Sequence, residues 1–348
     1  MKKVAYGSLV LLLGMSCAPQ RQPAISPASV ADLDTTQTLT TIAFGSCNKQ
    51  EEPQPLWDDI LAQQPGLWIW LGDNIYADTD NMKEMRSMYA QQLAQPDYQR
   101  LIASVPVIGT WDDHDFGVND GGKDFSKKAA SRDLMLTFLN VPKTRSVWNH
   151  EGAYQSYTFG PAGQRVKVLL LDTRYFRDEL VASTQEGLRY GPNPQGDLLG
   201  EAQWQWLERE LTNSDAQIHI IGSSIQVVAE DHGFEKWGNF PQSRQRLFQL
   251  LSDAQVSGAV LLSGDRHIGE ISRYSAAGLS YPLYDITSSG LTHVYEEADE
   301  ENRYRVSNLI TVLNFGVISI DWQRDPVRIT YRILGEGEEV LAEETTAL

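Results

Sequence analysis

The sequence predicts an α/β fold, built on a mixed sheet or on two stacked sheets. Short, continuous apolar runs recur through the first three-quarters of the chain. Stretches with apolar residues at helical spacing lie between them. The last part alternates in the manner of antiparallel strands. The 348 residues could form one large α/β domain or two ordinary ones, and 41% hydrophobic with 22% charged residues is a globular balance.

The chain opens with MKKVAYGSLVLLLGMSC (1–17). Two lysines precede an apolar run too short to span a bilayer comfortably, and small residues lead into Cys17. This reads as a bacterial export signal, with lipidation at Cys17 or plain secretion as its two outcomes. Ala18 follows where an aspartate would argue for inner-membrane retention. The expected location is therefore periplasmic, or anchored to the outer membrane through the lipid alone. Residues 18–38 are rich in Pro, Ser, Ala and Thr without periodicity, and read as a tether. A single domain is expected over 39–348.

Six apolar runs then suggest strands buried on both faces: TIAFG, LWIWLG, VPVIGTW, VKVLLLD, IHIIGSS and AVLLSGD. Four helices are expected between them. These are PLWDDILAQQ, FSKKAASRDLMLTFLN, GEAQWQWLEREL and PQSRQRLFQLLSDA, the last opened by Pro241. YPLYDITSSG, NFGVISIDW and PVRITYRIL alternate as antiparallel strands do.

A formal charge of −17, from 29 basic and 46 acidic residues, argues against a nucleic-acid-binding surface. It would also repel a phosphorylated substrate unless something local reverses the field. Nearly every early strand ends in polar residues with metal-binding chemistry: Cys47, then Asp73 with Tyr76, then Asp113 with His114, then Asp172 with Arg174, then Ser224 with Gln226, then Asp265 with His267. Open α/β sheets bind ligands at such carboxyl ends.

Each residue has two readings. Asp73 is a helix cap or a ligand. Asp113 and His114 form a surface turn, or a ligand beside a histidine kept charged by carboxylates and able to act as general acid. Asp265 and His267, two apart, can reach one centre, or Asp265 pairs with Arg266. Cys47 is a small buried hydrophobe or a metal thiolate. Tyr76 belongs to the core or supplies a phenolate, which suits ferric iron. Arg174 clamps a phosphate oxygen or pairs with Asp172. The insert 176–199 and the segment EDHGFEKWGNFPQ are expected at the mouth, where Trp237 and Phe240 face the substrate or pack inside. Thr292 and His293 are candidates for a supporting role.

The order GSC47, GD73NIY76, WDD113H114D115, LDTR174, GEAQWQWL and GD265RH267 resembles the calcineurin-like metallophosphatase superfamily, specifically its alkaline phosphatase D (PhoD-like) branch, over roughly residues 40–320. The resemblance implies a β-sandwich core flanked by helices, an αββα arrangement. It implies hydrolysis of phosphate esters, mono- or diesters, with one ferric ion and calcium as cofactors and other divalent metals as substitutes. Carried over by position, Cys47, Asp73, Tyr76 and His267 would hold iron. Asp73 would bridge to calcium, with Asp113 and Asp265 as further ligands, and His114 would be the catalytic histidine. At the end of IHIIGSSIQ only Ser224 and Gln226 are available where the superfamily usually supplies a ligand. The alternatives are a phospholipase-like or sugar-phosphate diesterase, and a calcium-stabilised binding protein without turnover.

Overall fold

The computed structural model describes residues 1–2 and 33–348. Apart from residues 1–2, the targeting segment with Cys17 lies outside the described residues, as does most of the tether. The tether's last residues belong to the folded body. Leu33 packs against the core between the sheets, and the Thr35 carbonyl accepts the Gly160 amide at 3.0 Å.

In chain order the first half comprises β1 (Thr41–Gly45), α1 (Trp57–Ala62), β2 (Leu67–Leu71), α2 (Met82–Leu93), α3 (Pro96–Ser104), β3 (Val107–Thr110), α4 (Asp113–Phe116) and α5 (Lys128–Phe138). Next come β4 (Gln155–Phe159), β5 (Val166–Leu170), the short pair β6 (Val181–Ala182) and β7 (Tyr190–Gly191), α6 (Gly200–Thr212) and β8 (Ile218–Gly222). The chain closes with α7 (Pro241–Asp253), β9 (Ala259–Ser263), β10 (Gly269–Tyr274), β11 (Leu283–Ser288), β12 (Phe315–Asp321), β13 (Arg328–Leu334) and β14 (Val340–Ala347).

Two six-stranded sheets result, in the orders β14-β13-β12-β1-β2-β3 and β10-β11-β9-β8-β5-β4. In the first, β1, β2 and β3 run parallel and β12–β14 form an antiparallel meander. In the second, β5, β8, β9 and β11 are parallel, with β4 and β10 antiparallel at the edges.

The continuous apolar runs reflect burial on both faces, and the strand period of two divides each run between two cores. Ile42, Phe44, Leu67, Ile69 and Leu71 face Val166, Val168, Leu170, Ile218, Ile220, Val260 and Leu262 across the sandwich. Ala43, Trp68 and Trp70 point the other way, into a layer made with the helices of the first half. There Trp57 of α1 meets Trp68 and Trp70 edge-on, at 5.3 and 5.6 Å between ring centroids, a preferred aromatic geometry. Leu169, Ile221 and Leu261 pack outward against α6 and α7. The stacked-sheet alternative and the αββα layering are therefore both realised.

Three helices were not expected from the sequence: α2, α3 and the single turn α4. In α2 only one stripe, Met85, Tyr89 and Leu93, is apolar and buried, and Asn81 caps it by accepting the Lys83 amide. Pro96 opens α3.

Candidate active site

The carboxyl ends of the parallel strands of both sheets meet at one rim. Three contacts between strand exits fasten the sheets there. Thr110 Oγ1 donates to the Leu171 carbonyl at 2.8 Å, Trp111 Nε1 to Asp172 Oδ1 at 2.9 Å, and Ser224 Oγ to Asp112 Oδ1 at 2.6 Å.

Seven predicted residues converge at this rim. The metal-binding atoms of Cys47, Asp73 and His267 lie within 4.8 Å of one another, as do those of Asp73, Asp113 and His114, and those of Asp112, Asp113 and Asp265. Asp73 belongs to the first two groups and Asp113 to the last two, so the three form one continuous chain of donors. Tyr76 closes the first group: its hydroxyl donates to Asp73 Oδ2 at 3.3 Å and stands 2.9 Å from His267 Nε2. Cys47 Sγ lies 3.4 Å from Asp73 Oδ2 and 3.1 Å from Ser289 Oγ.

The backbone makes unusual turns to achieve this. Cys47, Asp73, Asp265 and His267 all have positive φ, between 49° and 67°. Non-glycine residues occupy this region at a cost of about 1–3 kcal/mol when the surroundings force it, and such residues gather at functional sites. Gly72, at φ 101°, leaves β2 where a Cβ would stand 2.7 Å from the Asp112 nitrogen. Only glycine admits the two exits at that separation.

Asp115 braces these turns. Its Oδ1 accepts the amides of Asp112 and Asp73 at 2.7 and 3.2 Å, and its Oδ2 accepts the Asn74 side-chain amide at 2.6 Å. Burial raises its carboxyl to about 7 against the pull of those amides.

The electrostatics are those of anions crowded out of water. Burial, reinforced by neighbouring carboxylates, pushes Asp73, Asp112 and Asp265 well up. For Asp113, burial is outweighed by Arg174, His114 and backbone donors, which hold it down. Burial raises the Cys47 thiol and the Tyr76 hydroxyl. His114 is also desolvated, yet Asp73, the Asp78 hydrogen bond and Asp113 bring it to about 10. Its Nδ1 lies 2.6 Å from Asp78 Oδ2, and its ring packs 4.1 Å from that of Tyr76.

Asp112 Oδ2, Asp113 Oδ1 and His267 Nδ1 are buried without a hydrogen-bond partner. A buried polar atom left so costs about 1–3 kcal/mol, more when charged. Cations among these carboxylates would satisfy them. Oxygen donors suit calcium, and thiolate with phenolate and imidazole suits ferric iron. The residues present therefore fit a set of metal ions.

Two expectations need correction. Arg174 is fully buried: its Nε donates to Asp112 Oδ1 at 2.6 Å and its Nη1 to Glu235 Oε2 at 2.5 Å. Its fork is already filled by carboxylates, and Asp172 instead accepts amides and the Trp111 indole, so neither sequence reading of Arg174 holds. Trp237 is also fully buried, in the core over the second sheet, with its indole donating to Ser223 Oγ at 2.9 Å. Its large ring and its single donor are both satisfied inside, so it does not reach the mouth; Phe240 is buried with it. Gln226 donates to Glu270 Oε1 and Thr287 Oγ1, and Ser224 donates to Asp112 Oδ1 at the rim.

Sequence reasoning missed Asp112, Asp115, Asp78 and Glu235. Their only signal was the density of acids in YADTD, WDDHD and EDHGFE, which does not say which carboxylate faces inward. Thr292 and His293 do support the site. Thr292 Oγ1 accepts the Lys49 amide at 2.8 Å, and the His293 ring stands 4.3 Å from that of His267 and 5.0 Å from that of Tyr76. His293 also borders an open cavity of ≈ 760 Å³ with Val294, Val312 and Glu339.

Residues 42–297 match the sequence model of the PhoD-like phosphatase family. Alkaline phosphatase D of Bacillus subtilis (strain 168), a curated relative, is 23% identical over 267 residues, 65% of this chain and 46% of its own length. The chain thus spans about half the length of that relative. A solved structure of PhoD is 18% identical, covering 91% of this chain and 70% of its own, with a TM-score of 0.68. A dimetal phosphatase from Danio rerio is 15% identical, covering 89% of this chain and 99% of its own, with a TM-score of 0.55. At these identities the two structures establish a shared fold.

Proposed function

The chain belongs to the PhoD-like phosphatase family, and from that premise we propose that it is a metal-dependent hydrolase of phosphate mono- or diesters. The observation that carries this reading is the continuous chain of three donor groups at the strand ends, with unpartnered carboxylate oxygens inside it. Cys47, Asp73, Tyr76 and His267 would hold ferric iron. Asp73, Asp113 and Asp265 would hold calcium, joined by Asp112 through its free Oδ2. Bound there, the ions would supply Lewis acidity toward the phosphoryl group and lower the pKa of water.

The chain's own groups do the rest. Asp78 fixes His114 through Nδ1, which leaves Nε2 to give a proton to the departing alkoxide. Asp115 holds the exits of β2 and β3 so that Asp73 and Asp113 keep their separation. Arg174 acts through Asp112, orienting its carboxylate rather than touching substrate. Residues 1–17 support export, with lipidation at Cys17 as anchor; palmitate labelling that persists in Cys17→Ser would rule the anchor out.

The test is metal analysis and visible absorption of the purified protein, with hydrolysis of p-nitrophenyl phosphate and bis-p-nitrophenyl phosphate. Iron, calcium and a coloured ferric–phenolate band are expected, with turnover of at least one ester. His114→Ala should keep its metals and lose roughly 10²–10⁴-fold in kcat. A colourless, iron-free, active enzyme would remove the ligand assignment, and full activity in His114→Ala would remove the proton donor.

A further inference from the structure

With Arg174 enclosed, the cation that meets the substrate must come from elsewhere. The arginines around the donor groups are all engaged: Arg174 and Arg177 by Glu235, and Arg266 by Glu300. Lys49 differs. Among the described residues its ammonium has neither a carboxylate nor a hydrogen-bond partner, although the chain is strongly acidic. It stands 5.6 Å from the centroid of the Tyr76 ring, whose hydroxyl touches Asp73 and His267.

Its place is built by the fold. The Lys49 amide donates to Thr292 Oγ1 at 2.8 Å, and the Thr292 amide lies 3.4 Å from the Cys47 carbonyl. Thr292 thereby fastens the exit of β1 to the loop after β11. The adjacent His293 is set by the same residue, with Nδ1 3.1 Å from Thr292 Oγ1. When the hydroxyl proton points to Nδ1, the ring proton sits on Nε2, which is buried without a partner. An ammonium and, in that tautomer, an imidazole N–H thus flank Tyr76 from one stapled pair of loops.

We propose that Lys49 and His293 form the anion-recognising edge of the site and donate to the non-bridging oxygens of the substrate's phosphoryl group. This rests on the reading of the site as a phosphoester hydrolase. The physical need is plain: a net charge of −17 repels a phosphate until it is close, and a partnerless cation at the rim reverses the field locally. A monoester dianion gains more from the extra charge than a diester monoanion does. Lys49 therefore sets how far the site discriminates between the two ester classes.

The experiment titrates inorganic phosphate into metal-loaded wild type, Lys49→Gln and Lys49→Arg by calorimetry. Alongside it, kcat/KM for p-nitrophenyl phosphate is compared with that for bis-p-nitrophenyl phosphate at alkaline pH. Lys49→Gln should weaken phosphate binding about tenfold or more, the loss of one charge-assisted contact. It should lower the monoester-to-diester ratio by a similar factor with metal content unchanged. Lys49→Arg should restore most of both, and His293→Gln should weaken phosphate binding without loss of metal. Phosphate affinity within twofold of wild type in Lys49→Gln, an equal fall for both esters, or loss of metal would overturn the proposal. A wild type that binds phosphate through Lys49 but hydrolyses neither ester would sink the hydrolase reading and leave the anion contact standing.

Discussion

Arg174 shows how much a residue's meaning depends on what surrounds it. The guanidinium is wholly buried between Asp112 and Glu235. Replacing it with methionine removes one side of a desolvated ion pair and leaves Asp112 uncompensated. Arg174→Met is expected to cost about 3–5 kcal/mol in urea unfolding, the range for breaking a buried pair on one side. A loss below about 1 kcal/mol would mean that Asp112 finds another partner. The residues legible from sequence were those that follow an apolar strand directly: Cys47, Asp73, Asp113, Asp265 and His267. Strand period and chain direction place such side chains at a common rim. Asp112 and Asp115 escaped because α4 is a single turn, and its direction sorts adjacent acids into ligand, brace and neighbour. Trp237 escaped because nothing local separates a ring that packs inside from one that faces a cavity.

At the scale of elements, β8 is stitched to its surroundings by His219. With Nδ1 2.9 Å from the Ser257 carbonyl, which can only accept, this nitrogen carries the proton. Nε2 then accepts from Ser214 Oγ at 2.7 Å. One neutral imidazole thus ties the strand to the turn after α6 and to the turn before β9. Burial holds its pKa below the ordinary 6.5. A depressed histidine contributes stability that is full above its unfolded value and lost as pH falls through the folded one. Wild type should therefore lose stability below about pH 6.5, and His219→Gln should show less of this slope. The gap between them, about 1–2 kcal/mol from the lost hydrogen bonds, should be widest near neutrality and shrink on acidification in denaturant titrations. A gap that widens in acid would reverse the argument. The strands in the middle of the sheets were legible because burial on both faces leaves unbroken apolar runs. The edge strands β4 and β14 were not, since Gln, Ser, Thr and Glu make up half or more of each. Helix α2 hides its one apolar stripe among polar residues.

For the whole molecule, the α/β class followed from where the apolar runs and helical stretches fall, and the family resemblance supplied both the sandwich and its αββα layer order. The donor groups draw on residues 47 to 267, so their stability is coupled to the fold. Ions that bind only the folded chain stabilise it by about 2.7 kcal/mol at a hundredfold excess over Kd. Stripping them also leaves Asp73, Asp112, Asp113 and Asp265 to repel one another. Exhaustive chelation should lower Tm by several degrees, with recovery on re-addition of iron and calcium. Coincident melting curves would show that the groups hold no ion of consequence.

The sharing of Asp73 and Asp113 between neighbouring donor groups has a kinetic corollary. Two of the three groups join residues from both sheets, Cys47 and Asp73 with His267, and Asp112 and Asp113 with Asp265, so those two places exist only once the sheets are stacked. The ions are therefore a seal on a finished body and not a seed for it. A polypeptide threaded through a membrane unfolded would arrive empty-handed and collect its cargo only on the far side.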